Sequence, residues 1–304
     1  MIIVAIIHND RMFDLLPTHT DLDRLGRKSE ALKNSGHGDD FLNFLKNELF
    51  KKIDGNYRTM PYRILVGHSS AGLTALYSLQ KDRSMFNSYV AVDPGALDKN
   101  EYVMYQFSSF LEKNDLSTNK LFISSANNQS PDEPWEEVMK PNKDLIAGLE
   151  NDKHSHIDWK YNHYPNDNHI TVYVNSFYDA MRFIFKSYSI NSMRDRFRPE
   201  LIINQFDKFS KETGIKFIPP EFVMNRLGRE VMAFYPTVPS GLDAAIRYFQ
   251  TNLDNFPNST TSLLNMGDAW LKKGDKKKAL TYYKKVLEFE QDNEIAKQKI
   301  DEIK

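Results

Sequence analysis

The chain has 304 residues, and its 40 lysine and arginine residues nearly balance 41 aspartate and glutamate residues, for a formal net charge of −1. This balance gives no indication of a surface that binds nucleic acid or a membrane. The absence of cysteine excludes disulfides, thiolate metal ligands and a cysteine nucleophile. The length accommodates about two domains, and no apolar run approaches the ~20 residues of a membrane span.

The chain begins with an apolar run over residues 1–7, which predicts a buried strand. The polar segment that follows is typical of a loop at the carboxyl end of a strand, where open α/β sheets build their sites. Within this loop, we expect Arg11 and Asp14 to form a stabilising pair. A helical apolar pattern then extends from Leu42 to Ile53.

Residues 62–73 carry the strongest functional pattern in the sequence. A short apolar run leads through small residues into a helical pattern, and Ser69 lies two positions after Gly67 and two before Ala71. This is the nucleophile-elbow arrangement G-x-S-x-G with alanine in the last position. Small neighbours are needed because the strand turns sharply into the helix and the serine takes a strained conformation. The pattern predicts Ser69 as a nucleophile and the N–H of Ser70 as an oxyanion donor, unless the turn only favours small polar residues.

Strand and helix patterns alternate through the next hundred residues. Strands are predicted at residues 88–93, 120–125 and 157–161, and helices at 101–111, through Leu145 and Leu149, and from Val172 to Phe185. Such alternation implies a parallel sheet covered by helices on both faces. The predicted fold class is therefore α/β, with a doubly wound, mostly parallel sheet.

After Ser187 the sequence shows only helical periodicity. Ala245 and Phe249 recur as Ala279 and Tyr283, an offset of 34 residues, which is the tetratricopeptide period. The predicted organisation has three segments: an α/β domain at residues 1–187, a linker and helix at 188–222, and tetratricopeptide-like helical repeats at 223–304.

The first segment resembles the putative-esterase family of α/β-hydrolases, which includes enterochelin esterases and esterase D. The resemblance covers about residues 1–187, and four stretches carry it: residues 2–17, residues 56–64, the Gly67-His68-Ser69 elbow and the loop at 164–169. It implies that Ser69 is the nucleophile and His169 the base, in the α/β-hydrolase order of serine before histidine. It also implies an acyl-enzyme mechanism on small carboxylic esters, with no cofactor and no metal.

This sequence also departs from the family pattern. Family members have a longer N-terminal part, with a strand between those at Ile2 and Ile64 and a turn that supplies the second oxyanion donor. The resemblance therefore implies an N-terminally truncated domain whose first strands are missing. The activity of the 304-residue form stays open, and so does its compartment, because an export signal would lie in that part.

The acid that completes the triad is not fixed by the sequence. The resemblance places it after the strand at 120–125, where the candidates are Asp132, Glu133, Glu136 and Glu137, and Asp93 after the preceding strand is a further option. We predict Asp132. His68, beside the nucleophile, is expected to point away from the site and to be structural.

Two functions from different classes are compatible with these patterns. The first is a serine esterase, which the presence of Ser69 and His169 favours. The alternative is a catalytically inactive hydrolase-like scaffold whose helical repeats bind a protein partner, which the departures from the family favour. Neither interpretation includes nucleic acid, a membrane span or a metal, and we interpret His154, His156 and His163 as ordinary strand and loop residues.

Overall fold

The computed structural model describes residues 1–23, 26–95, 101–129, 135–190, 195–234 and 239–303. The chain divides into two compact units. The first comprises Met1–Lys186 and Glu212–Ile215, and the second comprises Ser187–Lys211 and Lys216–Lys304.

The described residues of the first unit form a parallel sheet with the strand order β1-β2-β3-β4. The strands are β1 (Ile64–His68), β2 (Ser88–Val92), β3 (Lys120–Ala126) and β4 (Asp158–Tyr164). Every residue of β2 and β3 is buried, as expected for central strands of a covered parallel sheet. The strand predictions at these four places are confirmed. Because all four strands run in one direction, their carboxyl ends meet at one edge of the sheet.

Helices cover both faces of this sheet. They are α1 (Arg11–Leu15), α2 (Gly38–Phe44), α3 (Phe50–Asn56), α4 (Ser70–Lys81), α5 (Glu101–Tyr105), α6 (Phe107–Lys113), α7 (Trp135–Asn151) and α8 (Val172–Ile184). A 3-10 turn spans Glu30–Leu32, and a π turn at Leu45–Leu49 joins α2 to α3. Side chains alternate along each strand, so Ile123 packs in the core with α4 and α7 while Phe122 packs with α8.

The predicted strand at residues 1–7 is wrong. This segment has no regular secondary structure, and Ile3 and Ile7 are 79% and 93% exposed. An apolar run indicates a preference for burial, but a strand also needs a neighbour whose backbone completes its hydrogen bonds. In the part of the chain that the structure describes, β1 pairs with β2 and this segment joins no sheet.

The described part of the second unit is helical and contains no strand. Its helices are α9 (Pro199–Thr213, whose last two residues are grouped with the first unit), α10 (Glu221–Phe234), α11 (Pro239–Asn255), α12 (Thr260–Lys272), α13 (Lys276–Phe289) and α14 (Glu294–Ile303). Ser259 and Asp275 cap α12 and α13 by accepting hydrogen bonds from the N–H groups of Ser262 and Lys278. Among the helices described in either unit, none combines the length and the apolar character needed to cross a membrane.

Two glycines allow neighbouring helices of the second unit to approach closely. A Cβ atom on Gly228 would overlap the ring of Phe249, and one on Gly267 would overlap the ring of Tyr283. Both aromatic residues are fully buried. The same glycine-to-aromatic contact therefore joins α10 to α11 and α12 to α13.

A buried lysine lies at the amino ends of the strands, away from the edge where their carboxyl ends meet. Lys120, at the start of β3, is 1% exposed, and its Nζ lies 2.7 Å from Asp158 and 3.2 Å from Glu212. Lys186 also contacts Asp158, at 2.9 Å. Burial alone would raise the pKa of Asp158, but the hydrogen bonds from both lysines lower it below its usual value. Such pairing is what allows an ammonium group to be buried.

Candidate active site

Ser69 occupies a strained turn between β1 and α4. Its backbone angles are φ 61° and ψ −123°, a conformation that costs a non-glycine residue free energy. Hydrogen bonds from the Ser69 N–H to Val92 O, 3.0 Å, and from the Gly95 N–H to Ser69 O, 3.3 Å, hold the turn. A Cβ atom on Gly67 would overlap the backbone of Ala71, which is why a glycine is required there. The sharp strand-to-helix turn that the sequence predicts is present.

The surroundings of Ser69 suit attack on a carbonyl group. Ser70 is the first residue of α4, so its N–H has no partner within the helix and lies at the positive end of the helix dipole. Its role as oxyanion donor stays a prediction. The described residues give Ser69 Oγ no hydrogen-bond partner, so the contact with His169 also stays a prediction.

His169 lies in the loop between β4 and α8, and its ring is bound to a buried carboxylate. His169 Nδ1 lies 2.6 Å from Asp93 Oδ2, and the side chains are 43% and 4% exposed, respectively. The loop is held by the side chain of Asn168, whose Oδ1 accepts hydrogen bonds from the N–H groups of Ile170 and Thr171. A carboxylate only accepts hydrogen bonds, so Nδ1 carries a proton and Nε2 of the neutral ring is left as an acceptor.

Asp93 follows β2 and is itself supported by β3. Its Oδ1 accepts a hydrogen bond from the N–H of Ala126, 3.1 Å, and its Oδ2 accepts one from Asn128 Nδ2, 2.7 Å. Burial would raise the pKa of Asp93, but the hydrogen bonds from His169, Ala126 and Asn128 together lower it below its usual value. The carboxylate is therefore charged at neutral pH.

The predicted acid, Asp132, lies outside the described residues, as does Glu133, and the side chains of Glu136 and Glu137 are also outside them. Asp132 therefore stays a prediction that the structure does not test. The carboxylate that the structure places on His169 is Asp93, the alternative left open by the sequence. A signal for it was present, because Asp93-Pro94-Gly95 directly follows a strand, at the edge where parallel strands present their polar groups.

Backbone strain is concentrated at this site. The described non-glycine residues with positive φ are Ser69, Asp93 (φ 42°) and His156 (φ 55°). Two of these three residues are at strand ends that meet in the candidate site. Strain of this kind persists only where the surroundings over-determine the conformation.

Two expectations about neighbouring residues are wrong. His68 does not point away: its Nε2 lies 2.7 Å from the carbonyl oxygen of His169, and the two ring centroids are 4.4 Å apart. Arg11 and Asp14 do not form a pair with each other, because Asp14 binds His8 and Arg11 donates from Nη2 to the carbonyl of His68, 3.0 Å. The position of a residue in a strand predicts the face of the sheet on which its side chain lies, but not which distant loop contacts that side chain.

Comparison with known proteins identifies the family. The model of the putative-esterase family matches residues 2–176. The chain belongs to the putative-esterase family. Membership of this esterase family supports the conclusion that the protein is an enzyme with a hydrolase function. No curated protein shows significant sequence similarity to the chain.

Solved structures that share the fold of this chain include the following two. An IroE-like serine hydrolase from Shewanella oneidensis is 24% identical with a TM-score of 0.65, and the match covers 87% of this chain and 77% of that one. An uncharacterised protein from Capnocytophaga ochracea is 17% identical with a TM-score of 0.59, over 96% and 79% of the two chains.

The esterase-family unit also contains a cavity of about 480 Å³, lined by polar and apolar groups, between α7 and the ends of β3 and β4. Asn127 and Asn142 line it. Asn127 donates its backbone N–H to Asp167, in the loop that carries His169, and Asn142 donates to the carbonyl of Pro94, next to Asp93. The cavity therefore adjoins the two loops that supply the histidine–aspartate pair.

Proposed function

We propose that the protein is a serine hydrolase that acts on carboxylic esters, with Ser69 as nucleophile, His169 as base and Asp93 as the acid. The observation that carries this proposal is the 2.6 Å contact between His169 Nδ1 and the buried carboxylate of Asp93. Ser69 follows β1, Asp93 follows β2 and His169 follows β4, so three loops at one edge of the sheet supply three different groups.

Each group has a distinct task in this proposal. Ser69 Oγ attacks the ester carbonyl while His169 Nε2 takes its proton, and the same proton then passes to the departing alcohol. Asp93 stays charged throughout, holds the ring and stabilises the imidazolium. The Ser70 N–H donates to the oxyanion. Water, activated by His169, then hydrolyses the acyl-enzyme and regenerates Ser69.

Backbone strain favours an active enzyme over an inactive scaffold. Ser69 and Asp93 are both at positive φ. This conformation costs a non-glycine residue free energy. A protein that only presents its helices to a partner has no use for either strained residue, whereas a hydrolase needs both groups in place.

For the second unit we propose a tetratricopeptide-like arrangement that binds a protein partner. The repeated contacts of Gly228 with Phe249 and of Gly267 with Tyr283 support it, together with the 34-residue offset of Ala245 and Ala279. This role is compatible with an active first unit.

The test uses a fluorophosphonate probe and p-nitrophenyl acetate. We expect the probe to label Ser69, identified by peptide mass spectrometry, and the labelled protein to lose its activity towards the ester. Labelling at another residue would show that the nucleophile assignment is wrong. A protein that neither reacts with the probe nor hydrolyses esters supports the scaffold alternative.

A further inference from the structure

His68 joins β1 to the loop that carries the proposed base. Its Nε2 lies 2.7 Å from the carbonyl oxygen of His169, and because a carbonyl can only accept, Nε2 is the protonated nitrogen. The two rings are tilted by 37° with centroids 4.4 Å apart. On another side, the ring of Tyr173 approaches His68 edge-on with a centroid distance of 6.3 Å.

His169 needs support at its backbone as well as at its ring. The Asp93 contact fixes Nδ1, but the ring can only be aimed at Ser69 if the loop that carries it is also fixed. The hydrogen bond from His68 fixes the carbonyl of His169 itself. Arg11 in turn donates to the carbonyl of His68, 3.0 Å. A displacement of about 1 Å at such a point can cost on the order of 100-fold in rate.

The charge of His68 also matters, because His169 becomes an imidazolium in the proposed reaction. The charged or titratable groups that face His68 are His169, Asp93, Arg11 and Tyr173. Burial, followed by the neighbouring His169 and then Arg11, lowers the pKa of His68, against the opposing effects of its hydrogen bond to His169 O and of Asp93. His68 is therefore neutral at neutral pH, and it adds no positive charge of its own beside the imidazolium.

We propose that His68 is a positioning residue for ester hydrolysis, which holds the backbone of His169 through Nε2–H and packs against its ring. This inference rests on the proposed function, because it requires His169 to be the base. It goes beyond the proposed triad of Ser69, His169 and Asp93, in which His68 has no part.

The experiment compares two substitutions that separate the donor from the ring. His68→Phe keeps an aromatic ring but loses the hydrogen-bond donor. We expect kcat for p-nitrophenyl acetate to fall about 10- to 100-fold with KM little changed, because His169 loses its orientation towards Ser69 while substrate binding is unaffected. His68→Gln keeps an N–H near the position of Nε2, and we expect it to recover most of the lost kcat. His154→Phe, the same change at an exposed histidine that precedes β4, is the control and should keep kcat.

Two further measurements keep the inference testable if a variant does not fold. Thermal unfolding shows whether a loss of kcat reflects a loss of structure. Nitrogen-15 NMR of the wild-type protein at neutral pH should show His68 protonated at Nε2, and protonation at Nδ1 instead would overturn the inference. Unchanged kcat in a folded His68→Phe variant would also overturn it. So would equal losses in folded Phe and Gln variants.

Failure of this inference is distinguishable from failure of the proposed function. If the fluorophosphonate probe labels Ser69 and Ser69→Ala is inactive while His68→Phe keeps full kcat, only the positioning role is wrong. If Ser69→Ala stays active, the proposed function is wrong and the role of His68 falls with it.

Discussion

The two units use close-approach glycines for different purposes. In the first unit, Gly67 lets β1 turn into α4 and leaves Ser69 in a strained conformation. In the second, Gly228 and Gly267 let helices approach so that the rings of Phe249 and Tyr283 are buried. The glycine of the first unit allows the strained backbone of Ser69, whereas the glycines of the second unit only increase apolar contact. Substitutions that remove strained groups should therefore affect rate, and those that disturb the helix contacts should affect stability.

The largest effect is expected for Ser69→Ala. Loss of the nucleophile should lower kcat for an activated ester by about 10⁴-fold or more, measured with p-nitrophenyl acetate. Ser70→Ala is the matched control, because it keeps the backbone N–H and removes a buried hydroxyl that has no hydrogen-bond partner within the described residues. Comparable losses in the two variants would contradict the assignment of Ser69.

Asp93→Asn should have the next largest effect. An amide can donate to Nδ1 and so favour the wrong tautomer of His169, which typically lowers kcat by about 10⁴-fold. Asp132→Asn, measured in parallel, should leave kcat close to that of the wild-type protein. The opposite ranking of the two variants would restore Asp132 as the acid and remove Asp93 from the site.

A pair of glycine substitutions compares the two units directly. Gly267→Ala forces Tyr283 to move, and such overpacking typically lowers the free energy of unfolding by about 1–3 kcal/mol. Urea unfolding measures this loss. The kcat of the folded variant should change little. Gly67→Ala meets backbone instead of a flexible ring, so we expect it to lower kcat as well as stability. If Gly267→Ala lowers kcat as much as Gly67→Ala does, the division between rate and stability fails.

The smallest expected effect is the pH dependence of stability that Asp93 contributes. The pKa of Asp93 is lower in the folded protein than its usual value. Its charged form thus stabilises the fold above the unfolded pKa of about 4, and this contribution is lost as pH falls through the folded value. The difference in free energy of unfolding between the wild-type protein and Asp93→Asn should therefore shrink below about pH 4. A difference that grows on acidification would be inconsistent with this sign.

Much of the fold could be predicted from local patterns. Three strands contain an apolar run, and the fourth, predicted at 157–161, alternates apolar and polar residues; all four lie between helical patterns. The turn at Ser69 has small residues where steric contact demands them. These features depend on neighbours in the sequence. Where neighbours suffice to decide the conformation, the sequence predicts it.

The wrong expectations and the choice of acid that the sequence left open have a common physical cause. Whether the run at residues 1–7 forms a strand depends on a hydrogen-bonding partner elsewhere in the chain. Whether Asp93 or Asp132 serves His169 depends on how far each loop reaches, since β3 lies between β2 and β4. The contact of His68 with His169 joins residues 101 positions apart. Such contacts are set by tertiary geometry, which no local pattern contains.

The buried Lys120 has a practical consequence for anyone who divides this protein. Its partner Glu212 lies in a four-residue segment that belongs to the first unit although the preceding residues, Ser187–Lys211, belong to the second. A chain shortened at residue 186 would retain the ammonium group and Asp158 but lose the second carboxylate. The polypeptide thus crosses the boundary between the two units three times, and a cut at residue 186 does not separate the first unit intact.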